Sequence, residues 1–277
     1  MAAVLLLVTA TGASAQQSVT VLSYNVRYGT AQDGAHVWPN RRALVIDLLR
    51  DHAPQLIGIQ EALRFQLDEI GAALPRFREV GVGRSDGKTA GEYAAILVDT
   101  TRFTIIGEGT FWFSDTPEVP GSMHWGNRIT RISSWARLVD RLTADTVRIY
   151  NVHWDHESQP SRERSAALLL ERMATDAGPN DRLLLTGDFN ADETNPAFQA
   201  LLADRRVPLR DSFRTLHPDA AVVGTFNGFR GDLGGGKIDA VLVGEGWEVV
   251  QAGIDRRWVG GRWPSDHFPV VAVVRRK

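Results

Sequence analysis

Short runs of β-branched and other apolar residues recur along the chain, and most of them have a polar residue at one end. Residues 19–26, 55–60, 94–98, 146–154, 182–186, 238–243 and 268–274 have the length and composition of strands. Helical periodicity fills several of the gaps. Leu44, Val45, Leu48 and Leu49 make one apolar face of a helix that Asn40 can cap and that runs to about His52. Residues 62–74 predict a second helix, stopped by Pro75. A third opens at Ser161 behind Pro160, with Leu169, Leu170 and Met173 inward. Asn195-Pro196 reads as an N-cap followed by proline at the first position of a short fourth. Strands and helices mix without strict βαβ alternation, which predicts an α/β chain built as two packed mixed sheets with helices outside. A doubly wound dinucleotide fold fits less well, because Ser23-Tyr24-Asn25-Val26-Arg27 stands where the glycine-rich phosphate turn should be. No repeat or linker interrupts residues 18–277, so they are read as one domain.

The polar residues at the strand ends change the picture from scaffold to site. Asn25 closes the first strand and Gln60-Glu61 the second; His153, Asp155 and His156 close another, and Asp188 with Asn190 the next. Asp239 and the pair Asp266-His267 stand instead at the start of the last two strands. If those two run antiparallel to the others, every one of these groups gathers on one edge. The plain alternative is a set of unrelated turn residues and caps, since Asp and Asn are common there. Six strands each ending in Asn, Asp, Glu or His make that coincidence the weaker reading. Adjacent strand residues point to opposite faces, so His267 must find its carboxylate partner elsewhere than Asp266.

The chain of 277 residues carries 31 basic against 33 acidic residues, so no overall field draws it to nucleic acid or an anionic membrane. It has no cysteine, which excludes disulfides, thiolate metal sites and cysteine nucleophiles together. Residues 1–15 pair a short apolar run with Ala13-Ser14-Ala15, a cleavage signature without a basic residue before it, and predict a signal peptide and export to the periplasm or medium. That run is too short to span a bilayer. The protein is expected to act as a monomer.

Asn25, Glu61 and Asp266 offer hard oxygen ligands, which favour Mg²⁺, Mn²⁺ or Ca²⁺ over zinc. His153 and His267 can stabilise charge on a phosphoryl group, and Asp188 can orient or deprotonate a water. The set reads as metal-assisted hydrolysis of a phosphate ester. A serine-hydrolase reading has one hook, Gly83-Arg84-Ser85-Asp86-Gly87, but the glycine-rich stretch after it cannot start the required helix and is better read as a hairpin tip. Among eight tryptophans, Trp154 and Trp263 are the ones expected to face a substrate group.

The stretches "SYNVR", "IQE", Glu92-Tyr93, "NVHWDH", "GDFN", "GTFNGF", "KIDAVLV" and "SDHFP", in this order, resemble the endonuclease/exonuclease/phosphatase superfamily of DNase I-like phosphoesterases, in particular an often exported bacterial subgroup. The resemblance implies a four-layer α/β/β/α sandwich with its active site at one edge of the paired sheets. It implies that Asn25 and Glu61 bind Mg²⁺ or Mn²⁺ with Asp266 nearby, that Asp188 aligns the attacking water, and that Asn190 contacts phosphate. It further implies that His153 and His267 stabilise the pentavalent oxyanion, that Asp239 holds His267, and that Tyr93 reaches the phosphate. Arg131 has two readings, a substrate contact or a surface arginine at a strand start. The expected reaction is in-line attack of an activated water on a phosphodiester or phosphomonoester of a small molecule or exposed head group. The alternatives are a metal-dependent nuclease acting on DNA or RNA and, less favoured, a non-catalytic binding module.

Overall fold

Alternation of side chains along the strands sends every second residue into the space between two sheets, and the fold follows from that. The structure is a computed structural model that describes residues 17–178 and 180–277; the expected signal peptide lies outside the described residues. Its strands are β1 (Val19–Asn25), β2 (Leu56–Gln60), β3 (Phe77–Val80), β4 (Ala94–Asp99), β5 (Phe103–Trp112) and β6 (Ile132–Asp140), followed by β7 (Thr146–His153), β8 (Arg182–Asp188), β9 (Leu209–Asp211), β10 (Asp239–Gly244), β11 (Trp247–Ile254) and β12 (Val270–Arg276). The helices are α1 (Trp38–His52), α2 (Arg64–Ala73), α3 (Gln159–Asp176), α4 (Pro196–Ala203) and α5 (Ser212–Leu216). One sheet has the order β11-β12-β1-β2-β4-β3 and the other β5-β6-β7-β8-β10-β9.

The outer face of the first sheet, with Leu22, Tyr24, Ile57 and Ile59, packs on Trp38, Val45, Leu48 and Leu67 of α1 and α2. The outer face of the second, with Tyr150, Val152, Leu185 and Leu242, packs on Leu169, Met173, Phe198 and Leu201 of α3 and α4. The four-layer α/β/β/α sandwich is therefore present. Asn195 caps α4 through Ala197 N, as expected. Ser158 caps α3, two residues earlier than the proline spacing suggests. Asn40 does not cap α1: Val37 holds that position and Pro39 sits in the first turn, so Asn40 is already helical.

Within each sheet one parallel pair, β1 with β2 and β7 with β8, sits beside an antiparallel partner, β12 on β1 and β10 on β8. The ends of four strands and the starts of two thus meet at one edge, the arrangement on which the site depends. The inner face of each central strand changes character toward that edge. β1 reads Val19, Val21, Ser23, Asn25; β7 reads Val147, Ile149, Asn151, His153; β8 reads Leu184, Thr186, Asp188. All of these are buried. Gly58 of β2 is required here, since a Cβ on it would lie 2.1 Å from Thr186 Oγ1 and 2.6 Å from Asn151 Oδ1 of the facing sheet. Among the described residues no helix is long and apolar enough to cross a membrane.

Candidate active site

Three neighbouring strands set out the centre of the site in a single row. His153 at the end of β7 is in register with Asp188 at the end of β8, which is in register with Asp239 at the start of β10. The facing sheet contributes Asn25, whose Nδ2 donates to Asp188 Oδ2 at 2.9 Å and to Glu61 Oε1 at 3.0 Å. Asp188 Oδ2 is the hub: His153 Nε2 lies 3.7 Å from it and His267 Nε2 3.8 Å. Its other oxygen accepts from Asn190 N at 2.9 Å. His267 Nδ1 bonds Asp239 Oδ2 at 2.9 Å, so the carboxylate partner of His267 does come from another strand. Asp266 turns the other way, with Ser265 Oγ 3.2 Å from its Oδ1 and Arg27 Nε 3.6 Å from its Oδ2.

The backbone is bent to make these placements. Arg27, Glu61 and Asn190, each within two residues of the end of β1, β2 or β8, have φ of 59°, 66° and 46°. Left-handed backbone costs a non-glycine residue about 1–2 kcal/mol, and such strain concentrates at functional sites. The turns are held by side chains: Glu61 Oε2 accepts from Tyr28 N at 3.1 Å, and Asn190 Nδ2 donates to Trp154 O at 2.9 Å. Below them Gln60 Nε2 donates to Asn151 Oδ1 at 2.6 Å, Asn151 Nδ2 donates to Ile59 O and Ala95 O, and Gly187 N donates to Ser23 Oγ at 3.0 Å. This polar lattice ties one sheet to the other directly under the site.

The cleft above has a volume of about 440 Å³ and is lined by Asn190, Asp188, His153, His156, His267, Glu61 and Asp266, together with Phe226 and Ile238. A larger cleft of about 770 Å³ lies at the far end of the strands, where Asp145 pairs with Arg182 and Arg276; it gathers none of the strand-end groups. Arg131 is buried rather than a surface residue. Its Nη1 donates to His153 Nε2 at 2.9 Å, its Nη2 to His156 Nδ1 at 2.7 Å, and its Nε lies 3.4 Å from Asp155 Oδ2. Sequence reasoning missed Arg27, Arg84 and Glu92 as site residues. Glu92 Oε2 lies 3.7 Å from His153 Nδ1, and Arg84 pairs with Glu92 at 2.7 Å. The Glu92-Tyr93 motif carried the signal but pointed to the wrong member. Tyr93 does not line the cleft; its hydroxyl donates to Lys88 O at 2.9 Å. Trp154 is fully buried with its ring edge-on to Phe189, and Trp263 packs on Phe268, so neither lines the cleft. The Gly83–Gly87 segment is a turn between β3 and β4, closed by Gly87 N to Gly83 O, as the hairpin reading requires.

The two imidazoles are made different by their neighbours. Burial alone would lower the pKa of His267, but the carboxylates of Asp239 and Asp188 outweigh it and hold the ring protonated. His153 is lowered well below the ordinary value by burial, reinforced by Arg131 and Arg84, so its 3.7 Å approach to Asp188 is not an ion pair. A guanidinium only donates, so Arg131 fixes Nε2 of His153 as the acceptor and puts the proton on Nδ1, facing Glu92. Asp188 is pushed up, chiefly by burial and then by Asp239. Side-chain ligand atoms of Glu61, Asp188 and His267 fall within 4.8 Å of one another. Protonated His267 has no lone pair to give, which leaves a carboxylate donor set, with Asp266 beside it, suited to a hard divalent cation. Asn25, as oriented, does not add an oxygen: its Oδ1 accepts from Arg27 N at 3.0 Å, and its nitrogen faces the carboxylates.

Residues 22–267 match the profile of the Endonuclease/Exonuclease/phosphatase family. Among solved structures, an endonuclease/exonuclease/phosphatase from Bacteroides vulgatus is 30% identical, with TM-score 0.87, covering 94% of this chain and 99% of that one. A mannosyl-6-phosphatase from Bacteroides thetaiotaomicron is 34% identical, with TM-score 0.85, covering 92% of this chain and 99% of that one. The CCR4-Not complex 3'-5'-exoribonuclease subunit Ccr4 of Emericella nidulans is 27% identical over 192 residues, which are 59% of this chain and 28% of that protein.

Proposed function

Because the chain belongs to the endonuclease/exonuclease/phosphatase family, whose members are hydrolases acting on phosphoesters, we propose that it is a divalent-metal-dependent hydrolase of small phosphoesters. The observation that carries this reading is the placement of Asp188 Oδ2 3.7 and 3.8 Å from two imidazoles with opposite neighbours, His267 bonded to the carboxylate of Asp239 and His153 to the guanidinium of Arg131. Asp188 accepts the proton of a water that attacks phosphorus, and its raised pKa suits a general base working near neutrality. His267 donates Nε2–H to a phosphoryl oxygen while Asp239 holds its tautomer and stabilises its charge. Asn190 and Arg131 present further N–H donors to the phosphoryl group, and the bond to the leaving alcohol oxygen breaks opposite the water. Glu61 and Asp266 would hold Mg²⁺ or Mn²⁺, which when bound supplies a Lewis acid for the phosphoryl oxygens. Asn25 would join them only with its amide turned over.

A small substrate is favoured over a nucleic acid by how the cations of the cleft are spent. The arginines that line the cleft are each paired, Arg27 with Asp33, Arg84 with Glu92 and Arg131 with Asp155, so among the described lining residues none is an unpaired cation for a phosphate backbone. The mannosyl-6-phosphatase similarity points the same way, toward a sugar phosphate or comparable monoester. The similarity to Ccr4 supports the nuclease alternative, at lower identity and coverage.

Purified protein offered hexose phosphates, nucleotides, phospholipid head groups, diesters and oligonucleotides should turn over a small ester with Mg²⁺ or Mn²⁺ and stop on adding EDTA. Asp188→Asn should reduce kcat on the order of a thousandfold while remaining folded, the range expected for a lost general base. Turnover that survives EDTA, or an Asp188→Asn rate within tenfold of wild type, overturns the reading.

A further inference from the structure

Arg41 lies in α1, outside the cleft, yet it is only 1% exposed. Its guanidinium bonds main-chain carbonyls alone: Nε to His36 O at 2.9 Å, Nη1 to Val26 O and to Pro264 O at 3.2 Å, and Nη2 to Arg27 O at 2.8 Å. Among the described residues no carboxylate lies within ion-pair distance of it. A buried cation without a counter-ion is costly, and this one is retained on hydrogen bonds to carbonyls and on the faces of aromatic rings, Trp38 lying 5.1 Å from it. The carbonyls it takes are informative. Val26 and Arg27 directly follow Asn25, and Pro264 directly precedes Ser265-Asp266-His267. The β1–β12 ladder has its last register pair at Ser23 and Val270, so strand pairing stops short of both segments. Beyond it they are joined by Ser265 Oγ donating to Asn25 O at 2.7 Å and by the fork of Arg41. A third segment closes over the fork: the Phe229 ring lies 5.7 Å from the guanidinium and stacks on His36 at 4.5 Å.

We propose that Arg41 is a positioning residue that fixes the separation between the Asn25–Arg27 turn and the Asp266-His267 turn, and so the distance between the two sides of the site. The proposal rests on the reading of those turns as catalytic machinery. A guanidinium is the side chain that can do this, because its planar fork offers five donors in fixed directions; an ammonium cannot reach carbonyls on three sides at once.

The test compares Arg41→Lys and Arg41→Met with Leu48→Ala, a change at an equally buried position of the same helix that touches the apolar core. On the best substrate of the wild type, both Arg41 variants should lose about 100-fold in kcat with KM within about threefold, the pattern of misplaced groups rather than lost binding. Leu48→Ala should lower Tm at least as much as Arg41→Lys yet keep kcat within about twofold, since core cavities cost stability. Hydrogen exchange gives a readout free of any substrate: the 265–268 amides should exchange at least tenfold faster in the Arg41 variants than in Leu48→Ala. Should the wild type hydrolyse no phosphoester, the functional reading fails while this exchange comparison still decides the positioning role. Folded Arg41→Lys with kcat within threefold of wild type, or 265–268 exchange equal to that of Leu48→Ala, overturns the proposal.

Discussion

The two ends of the space between the sheets are built from the same strands and by different chemistry. Away from the site, Val19, Val21, Leu56, Ile149, Leu184 and Val241 fill it with an apolar cluster that needs only shape and volume. Toward the site the next inner positions are Ser23, Gly58, Gln60, Asn151 and Thr186: Gly58 leaves room for the facing sheet, Gln60, Asn151 and Ser23 bond across the gap, and Thr186 bonds Asn151 beside it. One residue further come Asn25, Glu61, His153 and Asp188. The change from oil to lattice to functional groups happens within two or three side chains. Apolar packing tolerates small shifts; hydrogen bonds of fixed length and direction do not, so the lattice is the part of the core that can hold carboxylates and imidazoles to fractions of an ångström. Within the lattice Gln60 Oε1, and beside it Asp239 Oδ1, are buried without a hydrogen-bond partner.

The contrast is most sharply tested on neighbouring inner positions of β7. Ile149→Ala removes apolar volume at the far end and should cost about 2–5 kcal/mol of stability, with kcat of the folded protein within about twofold of wild type. Asn151→Leu keeps the volume but strips Ile59 O, Ala95 O, Gln60 Nε2 and Thr186 Oγ1 of a partner. Each unpaired buried group costs about 1–3 kcal/mol; Gln60 Nε2 keeps Ser23 Oγ and Thr186 Oγ1 keeps Tyr150 O, so the loss should be comparable to that of Ile149→Ala. It should also carry at least a tenfold fall in kcat, because Gln60 precedes Glu61 and Thr186 stands two residues before Asp188. Urea unfolding and turnover on the same preparations separate the two. Equal kcat in both variants would mean that the lattice only fills space.

This division explains what could be read from the chain. The seven strands with continuous apolar runs were legible because the runs are unbroken: six of them are buried on both faces, and β12 alternates buried with half-buried residues. β3, β5, β6, β9 and β11 were not: β5 and β11 are half exposed along much of their length, β5 with two glycines, β11 with one and each with a register shift, and β6 alternates with polar residues. Strand-end groups stood out because a polar residue closing an apolar run is conspicuous. Groups that enter the site from loops and helices were hidden, since nothing local distinguishes Arg84 or Arg27 from surface arginines. Arg41 is an instructive middle case. Trp38, Arg41, Val45 and Leu48 follow helical spacing, so periodicity places Arg41 on the buried face of α1 while Arg42 beside it is exposed. The tautomer of His153 and the protonation of His267 depend on Arg131 and Asp239, many residues away, and only the fold supplies them.

A smaller effect should appear at the mouth of the site. Glu92 is raised from the model-peptide value of 4.5 to about 7, first by burial, with Arg84 opposing and Glu61 reinforcing. A carboxyl whose pKa rises on folding binds its proton more tightly in the folded state. Its contribution is therefore full below pH 4.5 and is lost as pH rises through about 7, up to about 3 kcal/mol at 1.36 kcal/mol per unit. In EDTA the wild type should lose more Tm between pH 5 and pH 8 than Glu92→Gln does. His267 titrates in the same sense and His153 in the opposite one, so the difference between the two proteins is what isolates Glu92. Parallel Tm curves would show that Glu92 is ionised throughout and that Arg84 prevails over burial.

The least effect is expected one residue along. Tyr93 sits at the same end of the sandwich as Glu92, yet its ring is in the core with Ala62 and Leu67 while its hydroxyl serves the loop before β4. Tyr93→Phe removes a donor to Lys88 O and a weak acceptor for Arg64 Nη1 at 3.5 Å, and leaves the ring in place. The expected cost is about 1 kcal/mol of stability, the usual net worth of one hydrogen bond, with kcat and KM within about twofold of wild type. Position along the strand does not by itself make a residue functional; the face to which its side chain turns does, and Glu92 and Tyr93 turn opposite ways. A tenfold fall in kcat for Tyr93→Phe would put the phenol on the substrate during turnover, and the boundary between site and scaffold would then have to be drawn beyond the loop that Tyr93 now anchors.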